Sequence, residues 1–146
     1  MNRPTLHPRL AADCLRLGAL PLCELLLMND ARYPWTILVP RREGVREIYE
    51  LDEADQAQLL RESSLLARAM AEALTPDKLN IAAIGNVVPQ LHVHHVARFR
   101  DDAAWPAPVW GHGEARPYAG DAWKDACAPV LARLSPELDP APTDGF

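Results

Sequence analysis

Three of the chain's five histidines fall within four residues, in Gln90-Leu91-His92-Val93-His94-His95-Val96-Ala97-Arg98. The run reads as a β-strand, whose side chains alternate between two faces. Gln90, His92, His94, Val96 and Arg98 then share a polar face. Leu91, Val93, His95 and Ala97 share the other, which should meet a core. Imidazoles two residues apart are anchored about 6.5–7 Å from each other along a strand. That is too far for a bond between rings held parallel, but it suits two rings gripping one phosphate group. A neutral imidazole can attack phosphorus while a charged neighbour steadies the oxygens. The expectation is that His92 and His94 emerge side by side into an open, phosphate-sized hollow. A strand His-x-His also suits zinc if a carboxylate joins it. His95, with core parity, reads as a half-buried, hydrogen-bonded structural residue. His7 and His112, in Pro- and Gly-rich segments, read as solvated. Asn86, four residues before Gln90, could return an amide donor to the same mouth, and Gly85 would let the backbone bend there.

Other segments must position that strand. Leu22–Met28 and Trp35–Val39 read as strands joined by the turn residues Asn29-Asp30-Ala31-Arg32-Tyr33-Pro34. Leu51–Leu74 is the clearest helix. Asp52 can cap it, Glu53 and Asp55 suit its first turn, and Leu59, Ser63, Leu66, Met70 and Leu74 mark one face. Leu79–Ile84 and Leu91–Arg98 read as two more strands. Leu10, Cys14 and Leu17 have the spacing of a short helix between Pro8 and Gly18. Asp121–Leu134 has helical spacing, with Pro129 expected to kink or split it. Ser135–Phe146 should fray. Hairpin, long helix, hairpin is an α+β order, and one antiparallel sheet of about five strands with the helix on one face would bury both apolar surfaces.

The bulk properties narrow the function. A chain of 146 residues, 49% hydrophobic and 24% charged, fits one ordinary domain with a real core. Net charge is −5 with no basic run, which speaks against gripping a nucleic-acid polymer. No apolar run approaches the ~20 residues of a membrane span, and the first residues lack the apolar stretch of a signal peptide. A cytoplasmic location is expected. Cys14, Cys23 and Cys127 are widely spaced and form no CxxC, so buried reduced thiols are the simplest reading.

The stretch Asn86-Val87-Val88-Pro89-Gln90-Leu91-His92-Val93-His94-His95-Val96-Ala97-Arg98 resembles the motif of the histidine triad (HIT) superfamily, in which three histidines alternate with apolar residues on a strand. The likeness runs from about Leu22 to Arg98. The segment 98–111, with Asp101-Asp102 and Trp105-Pro106, is similar to a bacterial subgroup known only as HIT-family hydrolases. The resemblance implies a HIT-like domain over 1–110 and a C-terminal extension, 111–146, packed on it or fraying from it.

The resemblance also implies roles. The middle triad histidine, the nucleophile that takes up a nucleotidyl phosphate, falls on His92. The last falls on His94, a phosphate and leaving-group contact. Asn86 matches the polar phosphate donor before the motif, and Asn29 a position that often meets the ribose. The first triad position holds Gln90, which can donate and accept hydrogen bonds but carries no charge. Taking His92, His94 and His95 as the triad would break the alternation. The implied activity is a nucleotide hydrolase or nucleotidyl transferase acting on an α-phosphate, with no metal or other cofactor required, a small nucleotide as substrate, and a homodimer as assembly. A nucleotide-binding module without chemistry and a metal-dependent phosphohydrolase are the alternatives. Trp105, Trp110 and Trp123 could stack on a base or clamp a loop onto the body.

Overall fold

The computed structural model describes residues 5–141. In chain order the elements are helix α1 (Pro8–Asp13), strands β1 (Cys14–Ala19), β2 (Cys23–Met28) and β3 (Trp35–Pro40), a 3-10 turn at Ile48–Glu50, helix α2 (Glu53–Leu74), strands β4 (Lys78–Ala82) and β5 (Val93–Arg98), helix α3 (Ala122–Leu134) and the short strand β6 (Asp139–Pro140). The strands form one antiparallel sheet in the order β4-β5-β3-β2-β1-β6. The fold is α+β, with a six-stranded rather than a five-stranded sheet.

The extra strands correct two expectations. Cys14 and Leu17 lie on β1, not on a helix reaching Leu17, because the chain from Cys14 pairs with β2 along the register Cys14–Met28 to Ala19–Glu24. Tertiary pairing outweighs a three-residue helical spacing. The pairing slips between Arg16 and Gly18, and at Gly18 a β-carbon would lie 2.5 Å from the carbonyl oxygen of Asp139. Glycine is what lets β6 approach there. The tail around Asp139 therefore docks as a strand instead of fraying, while residues 142–146 lie outside the described residues. Helix α3 continues through Pro129 without splitting, and it seats Cys127, Val130 and Leu134 in the core shared with α2 and the sheet.

Helix α2 forms where its sequence says it should. Asp52 Oδ1 accepts from Asp55 N at 2.8 Å, and Glu53 and Asp55 occupy the first turn. Its buried face is Leu59, Glu62, Leu66, Ala69 and Met70. Glu62 stands out among these. Its carboxylate is buried and accepts from Leu22 N at 2.8 Å, Cys23 N at 2.9 Å and Gln58 Nε2 at 2.6 Å. Three donors meet the requirement that a buried carboxylate be hydrogen-bonded, and they tie the helix to the start of β2.

The sheet carries a core on each face. Leu25, Leu27, Leu38, Leu91, Val93 and Ala97 meet α2 and α3. On the reverse face Leu26, Trp35, Ile37, Val39 and Val96 pack with Leu10 of α1 and with Ala104 and Val109 from the segment after β5. That second, smaller core is where the polar face of the histidine strand lies.

Candidate active site

The central position of β5 between β3 and β4 dictates what its side chains meet. His95 faces α2. It is fully buried, with Nε2 at 2.7 Å from Ser63 Oγ and Nδ1 at 3.1 Å from the Val93 carbonyl, so its role is to join sheet and helix. Burial lowers its pKa to about 4, against a smaller opposite pull from the Val93 carbonyl.

His92 and His94 point to the other face and meet each other. Their ring centroids are 4.9 Å apart with the planes at 70°, an edge-on contact closer than two parallel rings on a strand would reach. His92 sits just before the first residue of β5, so its backbone is not bound to strand spacing. His92 Nδ1 lies 2.7 Å from the carbonyl oxygen of Gln90, an acceptor only, so Nδ1 carries a proton. In the neutral ring Nε2 is then a lone pair. His94 is the reverse case. Trp35 Nε1, a donor only, gives its proton to His94 Nδ1 at 2.9 Å. The His94 proton therefore resides on Nε2. Burial, then the proximity of His92 and His95, lowers the His94 pKa to about 3, so this ring is neutral at pH 7. It offers an N–H donor there, in place of the charged neighbour expected from the sequence. Neither Nε2 has a hydrogen-bond partner among the described residues.

The pair does not open into the hollow expected of it. His92 is 6% exposed and His94 5%. Trp35 lies 5.7 Å and Trp110 5.2 Å from the His94 ring, and the two indoles meet edge-on at 5.8 Å. Trp110 belongs to a segment tied down by Arg98, the last residue of β5. The buried Arg98 guanidinium reaches Asp102 at 2.8 and 3.0 Å, Asn80 Oδ1 at 2.8 Å and the Ala107 carbonyl at 2.8 Å. Asp102 in turn accepts from the backbone N–H groups of Phe99, Ala104 and Trp105. Burial would raise the Asp102 pKa, but the bonds from Arg98 and from the Phe99 and Trp105 amides hold it at about 2.

A scan against family models identifies residues 9–101 as a HIT domain. The chain belongs to the HIT family. Among solved structures, a histidine triad protein of Bradyrhizobium japonicum is 46% identical, with 91% of this chain and 99% of that one covered and a TM-score of 0.88. One from Sinorhizobium meliloti is 45% identical over 89% and 96%, with a TM-score of 0.87. One from Marinobacter aquaeolei is 51% identical over 94% and 97%, with a TM-score of 0.83. No curated protein matches the chain.

Gln90 is the residue that the resemblance sets at the first triad position. Its side chain turns to the N-terminal segment: Oε1 accepts from His7 N at 2.7 Å and Nε2 donates to the Thr5 carbonyl at 3.3 Å. His7 is half-buried, and its Nδ1 caps α1 through Arg9 N. A cavity of about 490 Å³ lies beside this contact, lined by Thr5, His7, Gly44, Arg46, Pro89 and Gln90. Asn86 is exposed in the turn before the motif, following Gly85 at φ 70°. Asn29 is half-buried, and its Oδ1 accepts from Tyr118 N at 2.9 Å, so the segment after residue 111 lies against it. His92, His94 and the backbone of Gln90 thus meet, while Asn29 and Asn86 stand in their own flanking segments.

Sequence reasoning missed Trp35 and Trp110 as partners of His94. Trp35 was legible in principle. It opens a strand that pairs with β5, and the register sets it across from Val96 on the same face as His94. Trp110 had no such signal, because its placement depends on how Arg98 folds the segment back. Among the described residues no group of three or more His, Cys, Asp or Glu is placed to hold a metal ion. No helix among them is long and apolar enough to cross a membrane.

Proposed function

We propose that this HIT protein is a nucleotide hydrolase or nucleotidyl transferase that works through a covalent nucleotidyl-histidine on His92. One observation carries the reading: two adjacent rings are held in opposite tautomers by Gln90 O and Trp35 Nε1. The pair offers a lone pair on His92 Nε2 and an N–H on His94 Nε2. A nucleophile beside a donor is what in-line attack on a phosphate ester, anhydride or amidate requires. His92 Nε2 attacks the α-phosphorus. The bond to the leaving group breaks with its electron pair on that group, which takes a proton from solvent. Water then attacks the same phosphorus, the P–N bond breaks back onto Nε2, and the nucleoside monophosphate leaves. Another acceptor in place of water makes the same scheme a transfer.

Asn86 contributes a phosphate donor from its exposed turn, and Asn29 meets the ribose once the segment at Tyr118 yields. Gln90 supports the site by its carbonyl and holds the N-terminal segment by its amide. The scheme uses no cofactor. Because both rings are buried and Trp110 packs against His94, substrate entry shifts part of the Trp110 segment. The three cysteines are free and apart, and the protein works in a reducing, cytoplasmic setting. The assembly is a homodimer across β4, the sheet edge that exposes Ile81 and is followed by the exposed Ile84 and Val87.

Rapid quench of the protein with dinucleoside polyphosphates and nucleotide amidates, read by mass spectrometry, tests the chemistry. The expected species is a nucleotidyl adduct on His92, absent in His92→Ala. Turnover by His92→Ala at the parent rate defeats the assignment.

A further inference from the structure

We propose that the indole N–H of Trp110 is a substrate-contacting group of this site and donates to a non-bridging oxygen of the phosphoryl group that His92 attacks. This rests on the phosphoryl-transfer reading above and adds to it a residue from outside the histidine motif and beyond the family-matched residues 9–101.

The case is made by following each donor near the nucleophile to its acceptor. Trp35 Nε1 is committed to His94 Nδ1. The Gln90 amide faces the N-terminal segment, where Oε1 accepts from His7 N and Nε2 donates to the Thr5 carbonyl. Apart from the Asn86 amide on its exposed turn, that leaves the His94 Nε2–H as the ring donor beside the nucleophile, for a phosphoryl group whose oxygens can accept several. Trp110 supplies another. Its Nε1 is buried and has no hydrogen-bond partner among the described residues. An indole nitrogen only donates, and a buried donor without an acceptor is costly enough that native proteins rarely keep one without a reason. Its location suggests that reason. The Trp110 ring stands edge-on to His94, with centroids 5.2 Å apart, and His94 stands edge-on to His92 at 4.9 Å. The three rings form a row that begins with a lone pair and continues with two free N–H groups. The row is held from both ends of the segment: Arg98 anchors residues 102 and 107, and Val109 sits in the core beside Trp35. A neutral N–H donor in a site with little water stabilises developing negative charge without an ionisation of its own.

Trp110→Phe keeps the ring and removes the N–H. In ¹⁵N-labelled parent protein the chain's four tryptophans give separate indole signals, and the one lost in Trp110→Phe is that of Trp110. Titration with AMP is expected to move this signal downfield. Trp110→Phe is expected to bind AMP about tenfold more weakly and to turn over a nucleotide amidate about ten- to a hundredfold more slowly, the range for losing one hydrogen bond to a charged oxygen. If Trp110→Phe does not fold, the Trp110 signal is assigned in the parent by its through-space contacts with the His94 ring, 5.2 Å away, and its shift with AMP decides. If AMP binds and His92 forms its adduct while the Trp110 signal stays fixed and Trp110→Phe keeps the parent rate, the N–H serves only ring packing and the proposal is overturned. If the parent binds no nucleotide and forms no adduct, the reading of the whole site falls and takes this proposal with it.

Discussion

Trp35 Nε1 lies 2.9 Å from His94 Nδ1, a side-chain bond between neighbouring strands that sets the tautomer of a histidine from outside its own motif. The nitrogen opposite is thereby assigned as a donor, whatever the ring's intrinsic preference.

Trp35→Phe removes that bond and leaves the buried Nδ1 without a donor. The expected cost is about 1–2 kcal/mol of stability, with a larger relative loss in turnover because His94 then samples both tautomers. Urea unfolding measures the first. Long-range ¹H–¹⁵N correlation across the imidazole reports the second directly: the parent shows a single Nε2–H form, and the variant shows a mixture.

Gln90→Ala severs both bonds to residues 5 and 7 while leaving the backbone carbonyl that orients His92. The His7 amide should then exchange with deuterium faster than in the parent. An unchanged exchange rate at His7 would show that the amide bonds do not hold the N-terminal segment in place.

Acid should destabilise the fold in two successive windows that overlap near pH 3–4. His94 and His95 have folded pKa values of about 3 and about 4, below the ordinary 6.5. Between those values and 6.5 the unfolded chain binds the extra protons, so the contribution is fully present above pH 6.5 and is lost as pH falls toward 3–4. Asp102, held at about 2 against its usual 3.8, contributes stability above pH 3.8 that is lost below it. Urea midpoints should fall from pH 7 to pH 5 in the parent and fall less in His95→Gln. An equal slope in that variant would remove His95 from the account.

The exposed edge at β4 makes a prediction about assembly. Ile81 is 49% and Val87 68% exposed. Placing charge there, as in Ile81→Lys with Val87→Asp, should halve the mass seen by light scattering and leave thermal unfolding of the single chain little changed, since neither residue belongs to a core cluster. An unchanged mass would mean that the two copies meet elsewhere or not at all.

Much of this was written in local pattern. The alternation in 90–98 placed His95 against α2 and His92 with His94 on the reverse face, because a pleated strand alternates its side chains whatever surrounds it. The Asp52 cap and the apolar steps of α2 were legible for the same reason. The short-range spacing of Leu10, Cys14 and Leu17 misled, since a strand is stabilised by a partner distant in sequence and β1 finds its partner in β2.

The chain's own order therefore determined the α+β class, the long helix and which histidines are neighbours. Those follow from backbone periodicity and steric preference, which act over a few residues. Tertiary structure decided that the pair is covered rather than open, that His94 is neutral with its proton on Nε2, and that Gln90 grips the N-terminal segment. Each of these depends on groups tens of residues away, and burial and hydrogen bonding of that range exist only once the sheet has assembled.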